Sequence, residues 1–507
     1  MAKRKCGVLL PVFSLPTPYG IGTFGKEAYR FVDFLASSGQ SYWQMLPLNP
    51  TGNDSSPYNS FSAFALNPYF IDLDTLAFEG LLVEDDLAPL KELPSDYVDY
   101  GRLHTTRFAV LRKAYTRFRA RELRHSDESD HSSLFQRFTH DEASWLDDYA
   151  DFMVLKDLNC GRSWLEWPEE LKDHTSEAVR SFLREHMEAV SFYRFLQYKA
   201  YSQYAALKEY ANLRGIKIIG DIPLYCSLNS ADLWAHPNSF LLNPDGTPSI
   251  VGGIPSDSLS NLDPLSDSPI YHYEAMKKNG FAFWRKRIRA MRSLYDILMI
   301  HHFRGIAGFC AIPYGAQDAT EGKWVTGPGE KLVDAIVEEQ GEMKIIAEDL
   351  GQLDERSLGL KEYSGWPGIR IVQEGYDSDD SSNPHNPHHI EQNSVAYLGT
   401  QDSPTTMGYI DSNKDRWDYI ARDLDIKGEV NRDSIFDAVA ESLTRSAAAR
   451  VIYTMQDMLR LGDEARLNTP GIAESNWRWR LPTDYAASSA SERLRYLGDL
   501  GGRKRRL

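Results

Sequence analysis

Tyr295-Asp296-Ile297-Leu298-Met299-Ile300-His301-His302-Phe303-Arg304-Gly305 joins a short apolar run to a polar cluster. Ile297 to Ile300 has the length and composition of a strand buried on both faces. His301, His302 and Arg304 follow at the point where that strand leaves its sheet. In parallel α/β folds ligands bind at the carboxyl ends of strands, so this placement points to a site. Gly305 then permits a sharp turn or a close approach by another group. Two histidines alone read equally well as a satisfied buried pair. What favours a site is that the same pattern recurs along the chain.

On the amino-terminal side, apolar runs occur at Cys6 to Val12, Ser41 to Leu48 and Ile216 to Pro223, the last carrying Gly220-Asp221. On the carboxyl side they occur at Lys344 to Ala347, Gly368 to Val372, Val395 to Leu398 and Val451 to Thr454. These end respectively in Glu348-Asp349, Gln373-Glu374, Gly399-Thr400-Gln401-Asp402 and Met455-Gln456-Asp457. With the opening stretch they make eight strands, most of them followed by loop and helix. Eight closes a (β/α)8 TIM barrel of the α/β class and leaves no edge unpaired. An open doubly wound sheet is the alternative. The alternation stops between the second and third strands. There residues 73–190 read as a helical insertion within one barrel domain spanning 1–507, with Trp145, Leu146, Tyr149, Phe152 and Met153 on one helical face. Helices are expected at Lys26 to Ser37 and Phe192 to Leu213, and a loop at His125 to Ser133.

The chain has 507 residues and a formal charge of −16, which argues against nucleic acid or an anionic membrane as partner. Arg503 to Arg506 is the basic exception and reads as a solvated tail. Cys6, Cys160, Cys226 and Cys310 lie far apart, so neither a disulfide framework nor a zinc knuckle is indicated. Lys3-Arg4-Lys5 before Cys6 to Leu10 only mimics a signal peptide, and no run reaches membrane-spanning length. A cytoplasmic protein without cofactor is expected.

In a barrel, strands three, five and seven bring Asp221, Glu348 and Asp402 to one rim. The Ser/Asn/Pro-rich loop from Thr51 to Pro68 adds Tyr58 and further aromatics, the composition of a binding loop. Carboxylates with aromatics suggest a carbohydrate cleft. Retaining glycoside chemistry needs two carboxyls about 5 Å apart, one as nucleophile and one as acid/base.

At this point the chain resembles the 4-α-glucanotransferases (amylomaltases, or disproportionating enzymes) of the α-amylase clan, over nearly its whole length. The resemblance rests on Tyr19-Gly20-Ile21-Gly22, Ser56-Pro57-Tyr58, Ser62-Ala63-Phe64, Asn67-Pro68, and Gly220 to Tyr225. It continues through Ala231 to Pro237, His302-Phe303-Arg304-Gly305, Ala347 to Gly351, Pro384-His385-Asn386 and Glu464 to Gly471. It implies a barrel that transfers α-1,4-glucan segments between maltooligosaccharides with retention. It makes Glu348 the acid/base and Asp402 the transition-state stabiliser, with Tyr58, Asp221 and His302 among the substrate contacts.

The chain departs from the family at the same cleft. His301 stands where the family has its nucleophilic Asp, and Met299 where it has the Arg that supports that Asp. Gln401 replaces a sugar-binding His beside Asp402. The segment Ser256 to Asp267 lacks the family's aromatic, glycine-rich lid. A neutral imidazole cannot form the glycosyl–carboxylate ester. Two alternatives to an active transferase therefore stand: an inactive α-glucan-binding paralogue, and a metal-dependent barrel hydrolase. The last would draw on His301, His302, Glu348 and Asp402, or on His385, His388 and His389, without tight ligand spacing. Trp477 and Trp479 read as packing residues, with sugar stacking as the second reading.

Overall fold

The structure, a computed structural model, describes residues 4–52, 55–125, 134–253, 265–316, 321–351, 353–380, 382–472 and 474–505. Residues 126–133 of the expected loop and 256–264 of the lid segment lie outside the described residues.

Eight parallel strands form one sheet: β1 (Lys5–Leu9), β2 (Tyr42–Gln44), β3 (Lys217–Ile222), β4 (Ile297–Ile300), β5 (Lys344–Ala347), β6 (Gly368–Ile371), β7 (Ser394–Tyr397) and β8 (Arg450–Thr454). Each pairs with its chain neighbours except β5 with β6, which form no ladder, and β8 returns to β1 through the register Lys5↔Arg450 to Leu9↔Thr454. Between β5 and β6 the Ala347 N–H donates to Pro367 O at 3.0 Å and the Ile369 N–H to Asp349 Oδ1 at 2.8 Å. Arg370 lies 3.1 Å from Asp349 Oδ2, and Lys361 also pairs with that oxygen. This closes the ring as a (β/α)8 barrel. Its strands are almost wholly buried, as a sheet covered by helices requires.

The helix Lys26–Ser37 buries Ala28, Phe31, Val32 and Leu35 at helical spacing. Between β2 and β3 the regular elements of the described residues are helical, the longest being Tyr100–His125, Ala143–Leu158 and Met187–Leu213. The last begins before the expected Phe192, because Val190 is buried and extends the apolar face. Gly220 in β3 lies directly against the Tyr295 ring, where a Cβ would come within 2.2 Å. That close approach fixes β3 against the start of β4 and sets the height of Asp221.

Two features differ from the sequence reading. A second, antiparallel sheet of Ile250–Gly253, Leu265–Pro269, Gly308–Pro313 and Lys323–Thr326 stands beside the barrel. Its strands escape an apolar-run search because one is exposed throughout and others are rich in Gly, Ser and Pro. In the basic terminus Arg503 is no solvated residue, whereas Lys504 is exposed and Arg506 lies outside the described residues. Arg503 is 1% exposed, and its guanidinium donates to Thr444 O at 2.7 Å, Ala448 O at 2.8 Å and Ser446 O at 2.9 Å. These carbonyls lie in the turn before β8 and end the preceding helix, so Arg503 ties the chain's end to the bottom of the barrel. Arg503→Met leaves Ala448 O without its side-chain donor and Thr444 O and Ser446 O to Arg4 alone, at 3.0 Å and 2.8 Å, and should lower unfolding stability by about 2 kcal/mol in urea titration. A loss below about 0.5 kcal/mol would return the terminus to a dispensable tail.

Candidate active site

β3, β4 and β5 are adjacent in the ring, and their carboxyl ends deliver Asp221, His301 and Glu348 to one place. His301 is 5% exposed and lies between the two acids. Its Nε2 is 2.7 Å from both Asp221 oxygens but is aimed at Oδ2, leaving Oδ1 without a well-directed donor. Its Nδ1 is 3.1 Å from Glu348 Oε2. With a carboxylate facing each nitrogen, both nitrogens carry protons and the ring is an imidazolium.

Tyr58 completes the cluster. Its hydroxyl donates to Asp221 Oδ2 at 2.7 Å, and its ring meets His301 edge-on at 4.9 Å between centroids. Trp477, buried in the core, packs against Tyr58 at 5.6 Å between centroids, in keeping with a packing residue. His302 is placed quite differently from its neighbour. Its side chain is 69% exposed with Nδ1 3.9 Å from Glu348, while its backbone N–H donates to Glu348 Oε2 at 2.7 Å. The reading of the two histidines as a buried pair therefore fails for His302. Its φ of 53° puts it in the left-handed region, a strain held by Phe303 N–H on Glu348 O at 3.1 Å.

After β7, Asn468 Nδ2 donates to Asp402 Oδ1 at 2.6 Å and Arg466 to Asp402 O at 2.8 Å. Gln401 is 3% exposed and turns its Nε2 onto Asp402 Oδ2 at 2.9 Å, with its Oε1 unpartnered among the described residues. Met299 is 2% exposed and lies in register with Asp221, one layer below His301 on the same face of β4. Sequence reasoning quoted Arg466 and Asn468 within a motif but assigned them no role; their hold on Asp402 appears only in three dimensions.

Burial and neighbours drive these groups apart. Burial works against charge on His301, but Asp221 and Glu348 outweigh it and raise its pKa well above the ordinary 6.5. Burial alone would raise Glu348, yet the His301 charge and hydrogen bond hold it down at about 2. Asp221 and Asp402 move upward, each mainly by burial, against His301 and Tyr58 in one case and Asn468 in the other. Burial and the Asp221 charge keep Tyr58 a phenol. The protons of His301 point at carboxylates, so neither nitrogen has a lone pair for an ion, and among the described residues no group of three His, Cys, Asp or Glu forms a metal-binding set. Among the described residues no helix is long and apolar enough to cross a membrane.

Fold and rim together define a (β/α)8 barrel protein with an acidic cleft at the carboxyl ends of its strands. The family model described as 4-alpha-glucanotransferase matches residues 10–485. A 4-alpha-glucanotransferase of Clostridium butyricum is 41% identical over 97% of this chain and 99% of its own length. One from Thermus thermophilus is 38% identical over 98% of each. The solved structure of an amylomaltase from Streptococcus agalactiae in complex with acarbose superposes with a TM-score of 0.93 at 34% identity, covering 99% of this chain and 100% of that one. The chain belongs to the 4-alpha-glucanotransferase family.

The linkage signs give a test. Raised in the fold, His301 contributes stability that is complete below its ordinary 6.5 and is lost as pH rises through its folded value. Depressed in the fold, Glu348 contributes stability present above its ordinary 4.5 and lost as pH falls towards about 2. The link is thus fully present between those ordinary values. His301→Asn should cost on the order of 3 kcal/mol there by denaturant unfolding, because it strands buried carboxylates. The wild-type advantage should shrink below about pH 4 as Glu348 takes up a proton. A difference that stays constant with pH would mean the link is not ionic.

Proposed function

We propose that the protein binds α-1,4-glucan chains in the acidic cleft but lacks the covalent half of the retaining reaction. The observation that carries this reading is His301. At the position where the family resemblance expects the nucleophilic carboxylate stands an imidazolium with both nitrogens engaged by acids. Without a free lone pair it can neither attack the anomeric carbon nor act as a base. Its charge also disfavours the oxocarbenium character of the transition state.

The same cation disables the second half of the chemistry. Retention needs a protonated acid to release the leaving-group oxygen. Glu348, held at about 2 chiefly by His301 against its burial, is a carboxylate at neutral pH and has no proton to give. Asp402, whose carboxyl Asn468 and Gln401 hold, serves in this reading as the group that faces the sugar. Tyr58 and the rim acids supply hydroxyl-binding groups. A full-length relationship to 4-alpha-glucanotransferases supports the α-glucan as ligand, and a cytoplasmic location fits such a role.

Incubation with maltotriose tests the reading. The protein should form glucose and longer oligomers at least about a thousandfold more slowly than an intact relative, since catalytic groups act as a unit. It should still bind maltoheptaose in calorimetry. His301→Asp alone should restore little, because the new carboxyl enters a crowd of acids and keeps its proton. Adding Met299→Arg supplies the missing cation and Gln401→His a sugar contact, and the triple variant should exceed the sum of the single effects. Wild-type turnover comparable to that of ordinary amylomaltases would overturn the proposal.

A further inference from the structure

Glu374 has no part in the retaining scheme, yet it stands at the carboxyl end of β6, between Glu348 after β5 and Asp402 after β7. The turn that carries it is held at several points. The Val372 N–H donates to Tyr397 O at 2.9 Å, Gln373 Nε2 to Pro404 O at 3.1 Å and Asn383 Nδ2 to Glu374 O at 2.8 Å. Gly375 lies so close to the His385–Asn386 backbone that a Cβ would come within 2.7 Å. The carboxyl is therefore presented from a rigid mount, with the side chain 43% exposed.

His385 faces it. The Ile371 N–H donates to His385 Nδ1 at 3.0 Å, which leaves the ring's proton on Nε2, 3.5 Å from Glu374 Oε2. Burial, helped by Arg370, lowers His385 to about 4, so it brings no charge at neutral pH. The other charged groups around Glu374 are Asp377 in its own turn, Glu348 from β5 and Arg370 from β6. Arg370 is engaged by Asp349, which Lys361 also holds. Burial, Asp377 and Glu348 together push Glu374 up to about 7. A glucan laid over it removes water while Glu348 stays charged, which raises its proton affinity further.

We propose that Glu374 is a glucan-binding residue of the cleft, which as a carboxylic acid donates a hydrogen bond to a sugar oxygen and so couples binding to uptake of a proton. This rests on the glucan reading above and specifies how the cleft holds its ligand. It replaces an energetically awkward arrangement, a third carboxylate beside Glu348 and Asp377 under a neutral ligand, with a neutral donor. Affinity is then highest on the acid side of neutrality and declines as the free carboxyl ionises.

Calorimetric titration of the full chain with maltoheptaose, in buffers of different ionisation enthalpy near pH 7, reads the proton directly. Wild type should take up a fraction of a proton per sugar bound, and its affinity should fall about three- to tenfold between about pH 6 and pH 9. Glu374→Gln keeps a neutral donor and should bind with no uptake near pH 7 and a flattened profile. Glu374→Met keeps the bulk without the donor and should bind more weakly throughout. Asp221, Asp402 and His301 remain in both variants, so undiminished proton uptake in Glu374→Gln would overturn the proposal. So would uptake-free, pH-independent binding by the wild type. Failure of maltoheptaose to bind wild type or variant at any pH would instead overturn the glucan reading, and this proposal with it.

Discussion

The imidazolium of His301 between Asp221 and Glu348 is the interaction on which the rest of the site depends. Three ionisable groups this deeply buried would each resist charge in isolation. Together they exchange solvation for two short charge-assisted contacts, and Tyr58 satisfies one of the remaining lone pairs. The link joins three consecutive strands at their carboxyl ends, so it also defines the shape of the rim. Removing its centre would strand two acids, which is why the residue matters more to the fold of the site than a histidine at a binding surface would.

That same link sets the ionisation of the cleft. An arrangement of acids in a retaining enzyme works by keeping one carboxyl protonated and one charged. Here the cation holds Glu348 down at about 2, and the upward shifts fall on Asp221 and Asp402. One strand further round the ring, burial with Asp377 and Glu348 pushes Glu374 up to about 7. The barrel tolerates such redistribution because its strand ends are rigid and interchangeable mounting points, held by contacts such as Asp349 with Arg370 that do not involve the ligand.

Much of this was legible in the sequence. Eight apolar runs in alternation with helices specified the barrel, because strands buried on both faces must be continuously apolar and short. Residues following those runs had to fall on one rim, which placed Asp221, His301, Glu348 and Asp402 without any coordinates. The side sheet was not legible, since Lys323–Thr326 is exposed throughout and carries no apolar run. Nor was the burial of Arg503, whose partners are backbone carbonyls that no side-chain pattern announces.

What the sequence determined by itself is therefore the architecture, the family and the identity of the groups at the rim, all properties of local pattern and order along the chain. Only the tertiary structure decided their charge states. Whether His301 is a neutral ring or a cation, whether Glu348 holds a proton, and why His302 turns to solvent while its neighbour is buried depend on distances between strands far apart in the chain. Ionisation is set by what stands within a few ångströms and by how much water is excluded, and neither is written in the order of residues.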